Sequence, residues 1–143
     1  MSLKMTIRID SVDGMMELGA ACARVAKADT VSGLVGDLGA GKTHWVKGFV
    51  AELGSTSEVT SPTFGLVHEY QGGRLLVSHF DFYRLESAEE LIALGWDEYI
   101  EAGGVVVAEW ADKFPSLMPP ETQWFYFKVD ADGARLVSDQ PIV

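Results

Sequence analysis

The chain has one cysteine, Cys22, and no asparagine. A lone thiol closes no internal disulfide and cannot build a cysteine zinc site, so Cys22, in an alanine-rich stretch, reads as a buried core thiol. The missing asparagine removes the Asn-Lys-x-Asp signature with which GTPases read guanine. Asp130 and Gly133 have Asp-x-x-Gly spacing, but far from any phosphate-binding segment. Basic residues are also scarce, with Lys+Arg 11 against Asp+Glu 21 and a formal net charge of -10. They are scattered singly, so no basic stripe can release counterions from a nucleic acid, and the whole-chain field repels a polyanion. If the protein acts on RNA or DNA, another subunit holds the nucleic acid; the acidity suits a basic surface on a protein partner. No apolar run approaches the roughly 20 residues of a membrane span, and no charged-then-apolar leader opens the chain. The expectation is a cytoplasmic protein that does not engage a membrane.

What is present is ample apolar material. At 143 residues and 48% hydrophobic content, one domain over residues 1–143 is expected, with a core that needs no disulfide or metal staple. Residues 4–9 alternate as a strand with Ile7 and Ile9 inward. Asp10 or Ser11 then caps a helix to about Ala26, with Met15, Leu18, Cys22 and Val25 at helical spacing on one face. Residues 30–35 form a short apolar strand. A second helix follows over 42–53, with Trp45, Val46, Phe49 and Leu53 inward and Gly54 as its left-handed stop. Residues 55–63 read as a polar loop, and 64–70 and 75–80 as strands joined by a turn at 71–74. Ser87 and Glu90 have capping-box spacing for a short helix ended by Gly95, and 96–100 suits another. Residues 104–109 are a β-branched run of the kind found in central strands. A proline-interrupted segment leads to a C-terminal hairpin of 124–129 and 134–137. The fold class expected is α/β: a single-domain P-loop NTPase-like mixed β-sheet flanked by helices, with a C-terminal β-hairpin.

The informative segment is Gly36-Asp37-Leu38-Gly39-Ala40-Gly41-Lys42-Thr43. Its glycines let backbone N–H groups curl around a phosphate, and the helix that starts there adds unpaired amides and its dipole. Lys42 would bridge β- and γ-phosphate oxygens, and Thr43 would place its hydroxyl on magnesium. Asp37 is unusual beside phosphates and is expected to cap or brace the loop from outside. Leu38, Gly39, Ala40, Gly41 and His44 complete the expected nucleotide contacts.

Such a loop needs an acid on a neighbouring strand to hold the magnesium shell. Two strands offer one, at Asp81 and Glu109, both at the carboxyl edge where open α/β sheets bind ligands. Only one of them can be the closest magnesium group; the other would order the attacking water. The lesser alternative for each is a strand-end carboxylate that caps the turn following it. Ser61-Pro62-Thr63 lies in the polar loop after the second helix, where switching hydrolases close a Thr or Ser over the γ-phosphate. Arg84 would reach either a transferred phosphate, a partner or a surface carboxylate. His44, His68 and His79 lack metal-ligand spacing and read as packing or surface histidines. Trp45, Trp96 and Trp124 read as core, and Trp110 as a site residue because it adjoins Glu109. Five arginines with no pair in one loop do not resemble a metabolite-kinase lid. An ATPase leads, with a small-molecule kinase, or a nucleotide-dependent binding switch without essential hydrolysis, as the alternatives.

Taken together, these segments resemble the TsaE (YjeE) family of P-loop ATPases of bacterial tRNA threonylcarbamoyladenosine synthesis. The resemblance rests on the glycine loop, Ser61-Pro62-Thr63-Phe64, Leu66-Val67-His68-Glu69-Tyr70, His79-Phe80-Asp81-Phe82-Tyr83-Arg84-Leu85, Leu94-Gly95-Trp96-Asp97-Glu98-Tyr99 and Glu109-Trp110, in family order. Gly65, His44 and His68 depart from it, standing where the family usually has Thr, a small hydroxyl residue and Asn. The resemblance implies ATP and Mg2+ as ligands, a TsaB–TsaD-like complex as partner, and tRNA reached only through that complex. It also implies Lys42 and Thr43 as phosphate and magnesium groups, Glu109 as a magnesium ligand, Asp81 as an essential acid, Thr63 as the switch residue and Trp110 as the aromatic beside the site.

Overall fold

A computed structural model describes residues 6–37, 39–56 and 66–142. The chain opens on β1 (Ile7–Ile9), and α1 (Val12–Val25) follows at once. Of the two expected caps it is Ser11 that serves, its hydroxyl accepting from the Gly14 amide at 3.0 Å. Strand β2 (Val31–Val35) leads into the glycine loop and α2 (Lys42–Glu52). Gly54, at φ +94°, makes the left-handed exit. Strands β3 (Val67–Tyr70) and β4 (Val77–Asp81) form a hairpin. Two short helices, α3 (Ala88–Ala93) and α4 (Trp96–Glu101), precede β5 (Val105–Glu109). The proline segment forms two 3-10 turns before the hairpin of β6 (Gln123–Val129) and β7 (Arg135–Ser138).

The sheet runs β1-β7-β6-β2-β5-β4-β3. Its centre is parallel, with β2 between β5 and β6 and β4 beyond β5. Its edges are antiparallel: β3 on β4, and β7 then β1 on β6. Because strand side chains alternate, β5 feeds two cores. Val105 and Val107 point to the side covered by α1 and α2. Val106 and Ala108 point to the side covered by α3, α4 and the aromatic trio Phe80, Phe82 and Trp96. Cover on both faces is why β5 reads as an unbroken apolar run.

One boundary and two packing expectations are corrected. β4 starts two residues later than the apolar run and includes Asp81 as its last residue. Val25 is 56% exposed, because the inward stripe of α1 passes through Cys22, Ala23 and Ala26 instead. Trp45 and Trp96 are core, whereas Trp124 is only half-buried. The two long helices meet through glycines. A Cβ on Gly48 would lie 1.9 Å from the Met16 carbonyl oxygen, and one on Gly19 would lie 2.0 Å from that of Trp45. Arg74, in the β3–β4 turn, donates to the Ala23 and Ala26 carbonyls at 2.8 and 3.1 Å, so a cation caps the end of α1. Among the described residues, no helix is long and apolar enough to cross a membrane.

Candidate functional site

The loop begins where β2 ends. Gly36, at φ +155°, runs so close to β6 that a Cβ would fall 2.5 Å from the Phe127 carbonyl oxygen. Ala40 donates its amide to the Asp37 carbonyl at 3.2 Å, so the brace expected of Asp37 is supplied by its backbone while its side chain stays exposed. Gly41, at φ +105°, is the N-cap of α2 and has no side chain to satisfy the first-turn amides. Those amides, with Gly39, Thr43 and His44, lie along a cleft of about 490 Å³. Asp81, Glu109 and Trp110 line the same cleft, as do Ile9 at the end of β1, Val12 and Met15 from the start of α1, and Arg135 from the terminal hairpin. Arg135 ties that hairpin to the loop, its Nε donating to the Gly39 carbonyl at 3.0 Å.

Lys42 is folded back into this cleft and is only 4% exposed. Its ammonium donates to the Gly36 carbonyl and sits 4.2 Å above the centre of the Trp110 ring. Burial lowers its pKa, and the nearby Glu109 and Asp81 carboxylates oppose that shift. Trp110 adopts the left-handed conformation at φ +59°, which a bulky residue rarely does. The strained turn brings its ring over Lys42 and beside Tyr83, at 4.8 Å between centroids.

Asp81 and Glu109 are register partners on adjacent parallel strands, and both are buried. Asp81 accepts from the Tyr83 amide at 2.9 Å, so it does cap the following 3-10 turn as well as lining the cleft. Burial raises its carboxyl pKa; the Tyr83 N–H opposes this, and the Glu109 charge reinforces it. Glu109 does not cap a turn. Its Oε2 is 2.6 Å from Nε2 of His79, whose Nδ1 is 3.2 Å from the Tyr70 hydroxyl. His79, read from sequence as a packing or surface residue, is therefore packed and also bonded to a candidate acid. The clue in the sequence was its place two residues before Asp81, on the same face of the strand.

Leu38 and Ser61-Pro62-Thr63 lie outside the described residues. Arg84 is exposed and does not line the cleft, and Asp37 also stands outside it. For a metal, the cleft offers the Thr43 hydroxyl beside the Asp81 and Glu109 carboxylates, all hard oxygen donors, with Asp10, held by Arg8, a further carboxylate on the lining. That set fits magnesium, which takes one or two carboxylates and completes its shell with phosphate oxygens and water.

A glycine loop that joins a central parallel strand to a helix opening on Lys-Thr, beside an acid at the tip of the next strand, defines the phosphate-loop class of α/β domains. A comparison with solved structures agrees, since the chain superposes on a crystal structure of Bacillus subtilis YdiB with a TM-score of 0.81 and 33% sequence identity, covering 96% of this chain and 85% of that one. The profile of the family described as "Threonylcarbamoyl adenosine biosynthesis protein TsaE" matches residues 9–137, and the chain belongs to the TsaE family. It is 42% identical over 116 residues to the tRNA threonylcarbamoyladenosine biosynthesis protein TsaE of Bacillus subtilis, covering 81% of this chain and 72% of that protein. It is 40% identical over 120 residues to the protein of the same name from Treponema pallidum, covering 84% and 88%.

Proposed function

We propose that this chain binds ATP with magnesium in the cleft beside the 36–43 loop and hydrolyses it, in support of a TsaB–TsaD-like complex that forms threonylcarbamoyladenosine on tRNA. The observation that carries the reading is the meeting of uncapped α2 amides, a buried Lys42 ammonium and two register-paired carboxylates along one cleft. An amide cradle and a desolvated cation suit a polyphosphate, since both interactions strengthen where water is excluded. The apolar wall of Ile9, Val12 and Met15 gives the rest of a nucleotide a place to bury surface.

In this reading the 37–41 backbone and Lys42 hold the phosphates, and His44 and Trp110 flank them. Lys42 exchanges the Gly36 carbonyl for phosphate oxygens, a stronger charge-assisted bond. Thr43 and Glu109 hold the metal, which when bound neutralises charge developing on the transferred phosphoryl group. Asp81 is left to orient water, and Thr63 closes over the nucleotide. No arginine among the cleft residues other than Arg135 is near the loop, and Arg135 is engaged with the Gly39 and Gly133 carbonyls. Turnover by the isolated chain is therefore expected to be slow and to rise with the partner. The net charge of -10 agrees with tRNA being held by that partner.

The test is phosphate release from ATP by the chain alone and with a TsaB–TsaD complex. Stimulation by the complex, and tRNA modification that depends on hydrolysis, are expected. Robust phosphorylation of a small metabolite by the chain alone would identify a kinase instead. Full modification activity in hydrolysis-dead variants that still bind ATP would identify a binding switch.

A further inference from the structure

We propose that His79 and Tyr70 are positioning residues for Glu109: together they fix one carboxylate oxygen so that the other is presented to the metal and phosphates. This rests on the reading of Glu109 as a metal-holding group.

Three strands contribute. Register pairs Asp81 with Glu109 and His79 with Val107, so alternation puts His79, Asp81 and Glu109 on one sheet face. Across the β3–β4 hairpin His79 is opposite His68, which places Tyr70 diagonally beside His79 on that face. The contacts follow from this placement: Tyr70 hydroxyl to His79 Nδ1 at 3.2 Å, and His79 Nε2 to Glu109 Oε2 at 2.6 Å. His79 is 0% exposed, Tyr70 3% and Glu109 5%, and of the three only Glu109 lines the cleft.

The chemistry gives the chain a direction. An ionised carboxylate only accepts, so Nε2 carries the proton and donates to Oε2. In the neutral ring Nδ1 is then an acceptor, and the Tyr70 hydroxyl donates to it. The carboxylate thus selects the tautomer, and the Tyr70 hydroxyl bond to Nδ1 holds the ring in the orientation that donates to Glu109. A glutamate ordered on its own loses considerable rotamer entropy, and a buried one held at a single oxygen has its free oxygen aimed before any ligand arrives. A residue that only filled space here would do so better without nitrogens, because a buried imidazole is unfavourable unless its nitrogens are bonded. Outer partners of this kind commonly govern how well a carboxylate serves a metal.

The experiment uses the full chain and three variants, His79→Phe, His79→Gln and Tyr70→Phe. Two quantities are read: kcat for ATP, and the ratio of calorimetric ATP affinity in Mg2+ to that in EDTA. Phenylalanine keeps a planar ring, one atom larger, and removes both nitrogens. Glutamine places its amide nitrogen as many bonds from Cβ as Nε2, so it keeps the donor to Glu109. His79→Phe is expected to lower both quantities about 10–100-fold while leaving affinity in EDTA within about twofold, and His79→Gln to recover most of the loss. Tyr70→Phe, which removes the outer bond to His79 and leaves the His79–Glu109 bond in place, is expected to lower both by about 2–5-fold. Wild-type values in a folded His79→Phe protein, or a His79→Gln variant as impaired as His79→Phe, would overturn the proposal. Should His79→Phe not fold, Tyr70→Phe decides, and wild-type values there would overturn it. Glu109→Gln separates the two levels. If it leaves the Mg2+ ratio and kcat unchanged, the metal-holding reading itself fails; if it impairs them while His79→Phe does not, only the positioning role fails.

Discussion

Asp81 and Glu109 end adjacent parallel strands as direct register partners, so two buried carboxylates share one rim of the cleft. Like charges at that spacing raise each other's free energy, and the Asp81 carboxyl is already raised by burial. A site tuned in this way is less stable than it could be, because one ammonium, that of Lys42, offsets two buried carboxylates until a metal arrives. Asp81→Asn keeps the acceptor for the Tyr83 amide and removes the charge. It is expected to stabilise the nucleotide-free protein by about 1 kcal/mol and to lower ATP turnover by roughly 10²-fold or more. Calorimetric melting and phosphate release measure the two effects. A destabilised variant would mean that the carboxylate is a net structural asset, and unchanged turnover would remove Asp81 from the chemistry.

Lys42 meets the same rim from the opposite side. Its ammonium is buried against the Gly36 carbonyl and the Trp110 ring, and burial lowers its pKa despite the nearby acids. A cation in that position is held ready for an anion. Charge-assisted bonds are worth about 1.5–3 kcal/mol each, so Lys42→Ala is expected to weaken ATP binding by about 10–100-fold. Titration calorimetry reads this directly. Unchanged affinity would show that the triphosphate is held elsewhere.

The parts of this site that are contiguous in the chain were legible without coordinates. The Gly36–Thr43 segment carries its own chemistry, because a glycine loop, a lysine and a helix start work within eight residues. Asp81 and Glu109 were visible as acids that end apolar runs. What could not be read is whatever depends on register between strands. His79 looks like any core histidine until β3, β4 and β5 are aligned, and only then do Tyr70 and Glu109 fall on either side of it. Val25 was misplaced for a related reason, since helical spacing defines a stripe but not where a neighbour stops covering it. Gly19 and Gly48 gave no signal at all, because a missing Cβ matters only where another backbone approaches.

That approach makes a sharp prediction about α1 and α2. With a Cβ built at 1.9 Å from the Met16 carbonyl oxygen, Gly48→Ala cannot be accommodated by turning a side chain; the helices must separate. Helix propensity favours alanine over glycine by about 1 kcal/mol, but overpacking of this kind typically costs about 1–3 kcal/mol. Because backbone rather than side chain is struck, the upper part of that range is expected, giving a net loss of about 1–2 kcal/mol. Gly39→Ala is a useful contrast. Nothing lies within 4 Å of its Cβ, so it meets only the strain of φ +80°. Denaturant unfolding of both variants would check the assignment, and a Gly48→Ala protein as stable as the parent would show that the helices do not pack so closely.

The lone thiol supplies a pH dependence independent of the site. Cys22 is 3% exposed in the α1–α2 core, and burial pushes its pKa from 9.0 up to about 11. The folded protein keeps this proton to higher pH than the unfolded chain does. Between about 9 and 11 the folded state therefore holds more protons, and linkage requires stability to fall as pH rises through that window. The full contribution is present below pH 9 and is lost once the folded thiol ionises, a difference on the order of 2–3 kcal/mol. Cys22→Ala removes the titrating group, so the variant's stability should decline less steeply over the same range, although it begins lower because a buried sulfur is lost. Denaturant midpoints of the two proteins from pH 8 to 11 give the comparison. Parallel curves would show that Cys22 ionises as readily folded as unfolded, and rapid alkylation of the native thiol at pH 8 would lead to the same conclusion.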